Sequence, residues 1–233
     1  MKNRVALLSI QFCISTMILG CGGGGGDSSN QTMSTASFPL QAANKSRVIT
    51  GAVDNFSISG SCTGTATITN AQAVPAVFEG TSGFAGTQTI TLNFTSCNQV
   101  STAGTGTQYY DQNYTILGFN FQGEEYGKIV SNMPQIPTSV KVGDTAVFAT
   151  INTYTDSTKA VPKGQRLLSY VIESDTANTA IANLITKGYN TSGQLLYTNQ
   201  TRYRLSSDGS LTTISIDLQY STTSTLHLIL SKT

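Results

Sequence analysis

Residues 197–220 read YTNQTRYRLSSDGSLTTISIDLQY, and this stretch decides the fold. Asp208-Gly209 is a turn signal between two runs in which apolar and polar side chains alternate. With Ser207 opposite Ser210, Leu205 meets Thr212, Tyr203 meets Ile214, Thr201 meets Ile216, Asn199 meets Leu218 and Tyr197 meets Tyr220. One face of the hairpin is then largely apolar. The other carries Gln200, Arg202, Arg204, Ser215 and Asp217. A slip of one residue would mix the two faces, so the pattern itself specifies the register. Arg202 and Arg204 are expected to find Asp217 as a cross-strand charge partner.

The same alternation extends in both directions. Leu226, Leu228 and Leu230 join the apolar face if a three-residue loop with a bulge precedes them, which sets His227 on the polar face near Asp217. Upstream, strands are expected near 146–154, 165–173 and 179–189, with a turn at Asn190 to Gly193. Residues 175–187 admit two readings. Asp175 as a cap, with Ala177, Ile181, Leu184 and Ile185 at helical spacing, fits a short helix. A strand fits better with the turn that follows directly.

Nearer the N-terminus, Phe56 and Ile58, then Cys62, Gly64, Ala66 and Ile68, then Ile90, Leu92 and Phe94 each alternate with Ser, Thr or Asn. From Phe38 onward the pattern reads as strand after strand. Gly80, Gly83 and Gly86 suggest one loop, and Thr102 to Thr107 another. Leu117, Phe119 and Phe121 form the next stripe, followed by an exposed turn with Glu124 and Glu125. Pro134 and Pro137 cannot both sit inside a ladder. They mark a border between an N-terminal β subdomain, 38–131, and a C-terminal antiparallel meander, 138–233, although one continuous β-unit is also consistent with the length. The expected fold class is all-β, with antiparallel sheets arranged as a sandwich or a curved half-barrel meander.

Cys62 and Cys97 lack metal-type spacing, and in an oxidising compartment they are expected to form a disulfide. The loop closed is 97 − 62 = 35 residues. Cys62 is in phase with its apolar neighbours, whereas Cys97 is one position out of phase with Ile90, Leu92 and Phe94. A bulge or strand end near Ser96 must therefore correct the facing.

The chain carries 13 Lys+Arg and 12 Asp+Glu, only 11% charged residues, and no basic patch that would suit nucleic acid. There is no HExxH, P-loop, GxGxxG or calcium-loop signature, so no metal or cofactor is expected. Glu124 and Glu125 could form a metal or acid/base pair, but adjacent strand residues point to opposite faces, which weakens a joint role, and an exposed loop accounts for them better. Ser215, Asp217 and His227 share one face, but no nucleophile elbow accompanies them. Tyr109, Tyr110 and Tyr114 cluster, and aromatic clusters on β-surfaces bind glycans or protein partners.

Lys2 and Arg4 precede an apolar run from Val5 to Leu19, and Ile18-Leu19-Gly20-Cys21 follows with Gly22 to Gly26 behind it. This arrangement resembles the precursor of a bacterial outer-membrane lipoprotein, with a lipobox and a polyglycine tether. The resemblance implies a signal peptide over 1–20, lipidation of Cys21 and a flexible tether over 21–37. Removal of Lys2 and Arg4 would leave 11 basic against 12 acidic residues. Gly22, where the inner-membrane retention signal of such proteins has Asp, implies the outer membrane, on its periplasmic or surface face. The expected function is then a non-enzymatic binding or structural module. It would meet the membrane through its lipid and take a protein, lipid or glycan ligand through a cleft or the tyrosine rim. The alternatives are an envelope hydrolase using His227 and a purely structural surface protein.

Overall fold

The structure is a computed structural model, and it describes residues 34–97, 101–130, 136–221 and 226–233. The expected signal peptide, Cys21 with its expected lipid and most of the expected tether fall on residues 1–33, outside the described residues. Among the described residues one helix, α1 (Leu40–Thr50), leads into thirteen strands: β1 (Ala52–Gly60), β2 (Gly64–Asn70), β3 (Val74–Phe78), β4 (Thr81–Phe94), β5 (Thr102–Tyr110), β6 (Ile116–Phe121) and β7 (Glu125–Ile129), then β8 (Thr145–Tyr154), β9 (Pro162–Ser174), β10 (Thr179–Asn190), β11 (Leu195–Ser206), β12 (Leu211–Tyr220) and β13 (His227–Lys232). The fold is all-β, as the alternation predicts.

The sheet is neither a sandwich nor open. Each strand from β4 to β13 pairs with the next, β1 pairs with β13, and β2 bridges β1 to β4. Twelve strands therefore close into a barrel, with β3 outside it. Closure removes the unpaired edges that a half-barrel would expose. The sheet also runs across the proline-bearing segment, because β7 pairs with β8 on its far side.

Alternation sorts the side chains. Phe56, Ile58, Ala66, Ile68, Ile90, Leu92, Leu218, Leu228 and Leu230 fill one part of the interior, and Phe119, Phe121, Phe148, Ile151, Leu168, Ile172, Tyr203 and Leu205 another. Threonines of β2 and β4 (Thr65, Thr67, Thr69, Thr89, Thr91) and Gln200, Arg202 and Arg204 of β11 face outward. Apolar side chains inside and polar ones outside reverse the polarity of a barrel that spans a bilayer.

The hairpin of β11 and β12 keeps the expected pairing of Tyr197 with Tyr220, Asn199 with Leu218 and Thr201 with Ile216. Beyond Arg202 a bulge shifts the register, so Tyr203 meets Thr213 and Leu205 meets Leu211. The turn is longer than the two residues expected: the Ser206 N–H bonds the Ser210 carbonyl at 3.0 Å, with Gly209 at φ +86°. The shift directs Thr213 into the barrel. Leu228 and Leu230 do join the apolar face, and the ladder resumes at Leu226, whose carbonyl accepts from the Tyr220 N–H. The expected three-residue loop falls largely on residues 222–225, outside the described residues.

Residues 175–187 contain no helix; a short turn leads into strand β10 at Thr179. The helix is instead α1, where a strand was expected. Leu40 and Ala43, three residues apart, are its buried side chains. Gly51, at φ +69°, ends it by donating its N–H to the Arg47 carbonyl. The expected loops at Gly83–Gly86 and Thr102–Thr107 are strand. Position 106 faces inward, in phase with Gln108, and is glycine because the Phe121 ring occupies the space a side chain would need: a Cβ there would lie 2.2 Å from the ring. Cys62 and Cys97 are bonded, and β4 ends at Phe94, so a strand end corrects the facing of Cys97.

The hairpin of β3 and β4 leaves the wall and lies over the outer face of β5–β7. Phe78 stacks on Tyr109 at 4.4 Å and on Tyr126 at 5.7 Å. At its tip Glu79 adopts φ +50°, a left-handed conformation that Asn or Gly would hold more easily. Its carboxylate accepts from Lys159 at 2.6 Å, Tyr126 at 2.5 Å and Lys128 at 3.0 Å. Those bonds, Lys159 first, hold the carboxyl down at about 2. A folded value below the unfolded one contributes stability that is complete above pH ~4.5 and fades as pH falls toward the folded value. We predict that Glu79→Gln costs about 1 kcal/mol at neutral pH in this solvent-screened site. Urea unfolding at several pH values should show the gap between wild type and variant closing on acidification.

Candidate functional site

Antiparallel pairing puts the 111–115, 136–144, 175–178 and 207–210 segments at one end of the barrel, together with α1. The Phe38 N–H donates to the Val140 carbonyl at 2.8 Å, and the Ala73 N–H to the Val48 carbonyl at 3.0 Å, so both flanks of α1 are tied to this end. Asn44 donates to the Tyr114 carbonyl at 3.1 Å. The helix therefore acts as a cap.

Beneath α1 lies a cavity of about 70 Å³. Asn44, Arg47 and Val48 of α1 form its roof. Asn70, Gln88, Gln108 and Tyr110 contribute a polar wall from β2, β4 and β5, and Tyr114 stands beside them. Ile116, Phe148, Leu168 and Leu184 complete an apolar wall. The polar wall follows from phase: Asn70 is in register with Ala66 and Ile68, and Gln88 with Ile90 and Leu92, so both must point inward.

Gln88 is 2% exposed. Its Nε2 donates to Asn70 Oδ1 at 2.8 Å, directly across the ladder. That single bond leaves Gln88 Oε1 and Asn70 Nδ2 buried without a partner. Beside them the Tyr110 hydroxyl donates to Gln108 Oε1 at 2.8 Å. A buried polar atom left unpaired costs about 1–3 kcal/mol, so an acceptor and a donor side by side in a cavity are a feature that requires an account.

Tyr114 is positioned at some backbone cost, at φ +61°. Asp111 secures the turn by accepting from the Asn113 and Thr115 N–H groups, both at 2.8 Å. Phe84 stacks on the Tyr114 ring at 4.5 Å, and Lys45 Nζ lies 5.2 Å from its centroid.

The expected tyrosine cluster is divided by the fold. Tyr110 and Tyr114 line the cavity, whereas Tyr109 points outward beneath Phe78. His227 Nε2 does sit 2.9 Å from Asp217 Oδ1, as the register predicts, with both side chains partly exposed. Ser215 pairs with Ser231, four residues beyond His227 on β13, so it is not placed to be activated by the imidazole. Arg202 and Arg204 turn to Glu173 and Asp175 rather than Asp217. Glu125 opens β7 facing inward and pairs with the buried Arg166, whose guanidinium also lies 4.4 Å from the Phe119 ring centroid. The exposed-turn expectation therefore fails for Glu125.

Among the described residues, interior polar groups that carried no expectation from the sequence include Asp54, Gln88 and Arg166. Each stands at an apolar phase of its strand, Asp54 with Phe56 and Ile58, Gln88 with Ile90 and Leu92, and Arg166 with Leu168 and Ile172. A polar residue in an apolar register was the available signal. Asp54 accepts from Arg47 at 2.5 Å, from Thr213 at 2.8 Å and from Lys232. Burial alone would raise its carboxyl, but the bonds from Lys232, Arg47 and Thr213 outweigh that and hold it below the ordinary range.

At the opposite end a wider trough of about 720 Å³ runs past Asn152, Tyr154, Gln165, Tyr189 and Asn190. Its amides are already engaged, Gln165 donating to Asn152 at 3.1 Å and Asn190 Oδ1 accepting from Ser192 and Gln194. The capped cavity is the better candidate. Comparison of the chain with protein-family models, curated proteins and solved structures finds no match.

Proposed function

We propose that this chain is a non-enzymatic binding module of the bacterial cell envelope. A lipid on Cys21 holds it at the outer membrane, and a small ligand enters the cavity under α1. The observation that carries the binding role is the unpartnered pair Gln88 Oε1 and Asn70 Nδ2 in that cavity. The lipobox-like run ending at Cys21 supports the anchor, and a barrel whose wall is polar outside is consistent with attachment through lipid rather than through strands. The chain joins the barrel at the α1 end, where Ser34 donates to the Ala177 carbonyl at 2.8 Å. The tether from Cys21 therefore leads to the same end as the cavity.

Two measurements test the two halves. The full chain should incorporate metabolically labelled palmitate, and Cys21→Ala should lose both the label and the membrane fractionation. A label-free product would remove the anchor. Crystals soaked in a mixture of small organic fragments should show one of them beneath α1. Density for water alone in that cavity would remove the binding role.

A further inference from the structure

We propose that the cavity under α1 selects a neutral molecule that presents a lactam or carboxamide edge, one N–H beside one carbonyl oxygen. The inference rests on the binding role just proposed and specifies its ligand.

The argument starts from the pairing of Gln88 with Asn70. One amide–amide bond joins them, so each retains one unused end, an acceptor on Gln88 and a donor on Asn70. Turning both amides over exchanges the two ends and leaves the same pattern. The cavity therefore offers one acceptor and one donor whichever way the amides are placed. A ligand edge with a carbonyl and an N–H satisfies both at once.

Charge narrows the class. A carboxylate would set an oxygen against the unpaired acceptor, and an ammonium would set hydrogens against the unpaired donor. Arg47, the cation in the roof, is already bound to Asp54 and does not call for an anion. Size narrows it further. About 70 Å³ is several times the ~10–15 Å³ that one water centre needs, which suits a single small ring. Opposite the amides, Val48, Ile116, Phe148, Leu168 and Leu184 offer no hydrogen bonds. The same side chains suit the apolar body of a ring.

The test titrates the full-length chain with 2-piperidone, which carries both groups on one edge, and with cyclohexanone, which keeps the ring and the carbonyl but lacks the N–H. Dissociation constants are read from NMR shifts. 2-Piperidone should bind roughly tenfold tighter, because cyclohexanone leaves a buried group unpaired. Gln88→Met, near in size and without polar ends, should reduce the preference to about twofold or less. Gln88→Leu, which also removes the acceptor, should do the same and serves if the first variant does not fold. Equal binding of both probes to the wild type, or a preference that survives these substitutions, would overturn the amide selectivity and leave the binding role standing. Failure of both probes to bind, together with crystals holding only water in the cavity, would overturn both.

Discussion

Asp54→Ala should destabilise the protein by about 3 kcal/mol or more, the largest effect expected of any single substitution. Asp54 is 6% exposed, and its carboxylate joins three elements: Arg47 from α1, Thr213 from β12 and Lys232 from β13. Its removal leaves two cations facing each other at the barrel interior, and breaking a buried pair from one side typically costs ~3–5 kcal/mol. Partial exposure of Lys232 favours the lower end of that range. Urea denaturation followed by far-UV circular dichroism measures it. The loss should depend on pH in a definite sense. Because the folded carboxyl is held below its unfolded value, its contribution is complete above ~4 and declines as pH falls. A variant as stable as the wild type at neutral pH would mean that Asp54 does not hold α1 to the barrel.

Loss of the disulfide should have an effect of similar size. The bridge between Cys62 and Cys97 closes 35 residues spanning the β1–β2 turn, β2, β3 and β4. In the chain-entropy view that constraint is worth about 3–4 kcal/mol. The Cys62→Ala/Cys97→Ala double variant, compared with the oxidised wild type by thermal unfolding, should show a lower midpoint. Cys62 is itself buried among Phe56, Ile58 and Leu92, so part of the loss will come from packing. Reducing the wild type with a thiol keeps the side chains and should reproduce most of the shift. If reduction leaves the midpoint unchanged, the barrel closure does not depend on the bridge.

The C-terminal half was the most legible part of the chain. From Thr179 to Lys232 one face of each strand is apolar, and a period of two that must be buried specifies its own register. The reading failed where a local device broke that period. The bulge after Arg202 turned Thr213 inward toward Asp54, and nothing in the local alternation distinguishes Thr213 from its outward neighbours. Glycine misled in another way. Gly104 and Gly106 look like loop residues, yet both lie in β5, and position 106 is glycine because a ring from β6 fills the space of a side chain, a relation between strands that a single stretch cannot reveal. Helix α1 was missed because its buried stripe is short, only Leu40 and Ala43. Half of the candidate site was within reach. Tyr109 and Tyr110, as neighbours on a strand, had to part to opposite faces, the argument that separates Glu124 from Glu125. Asn70 and Gln88 stood in plain apolar phase. What the phase does not show is that they face each other, which follows only from the pairing of β2 with β4.

The central claim is that the space under α1 is a binding site, and the side-chain amide signals of Asn70 and Gln88 report on it most directly. In a ¹⁵N-labelled sample of the full chain titrated with 2-piperidone, those two NH₂ groups and the backbone amides of α1 should shift together and saturate on one curve. Shifts confined to the Tyr154–Tyr189 trough or to the neighbourhood of His227, with Asn70 and Gln88 unmoved, would contradict the account.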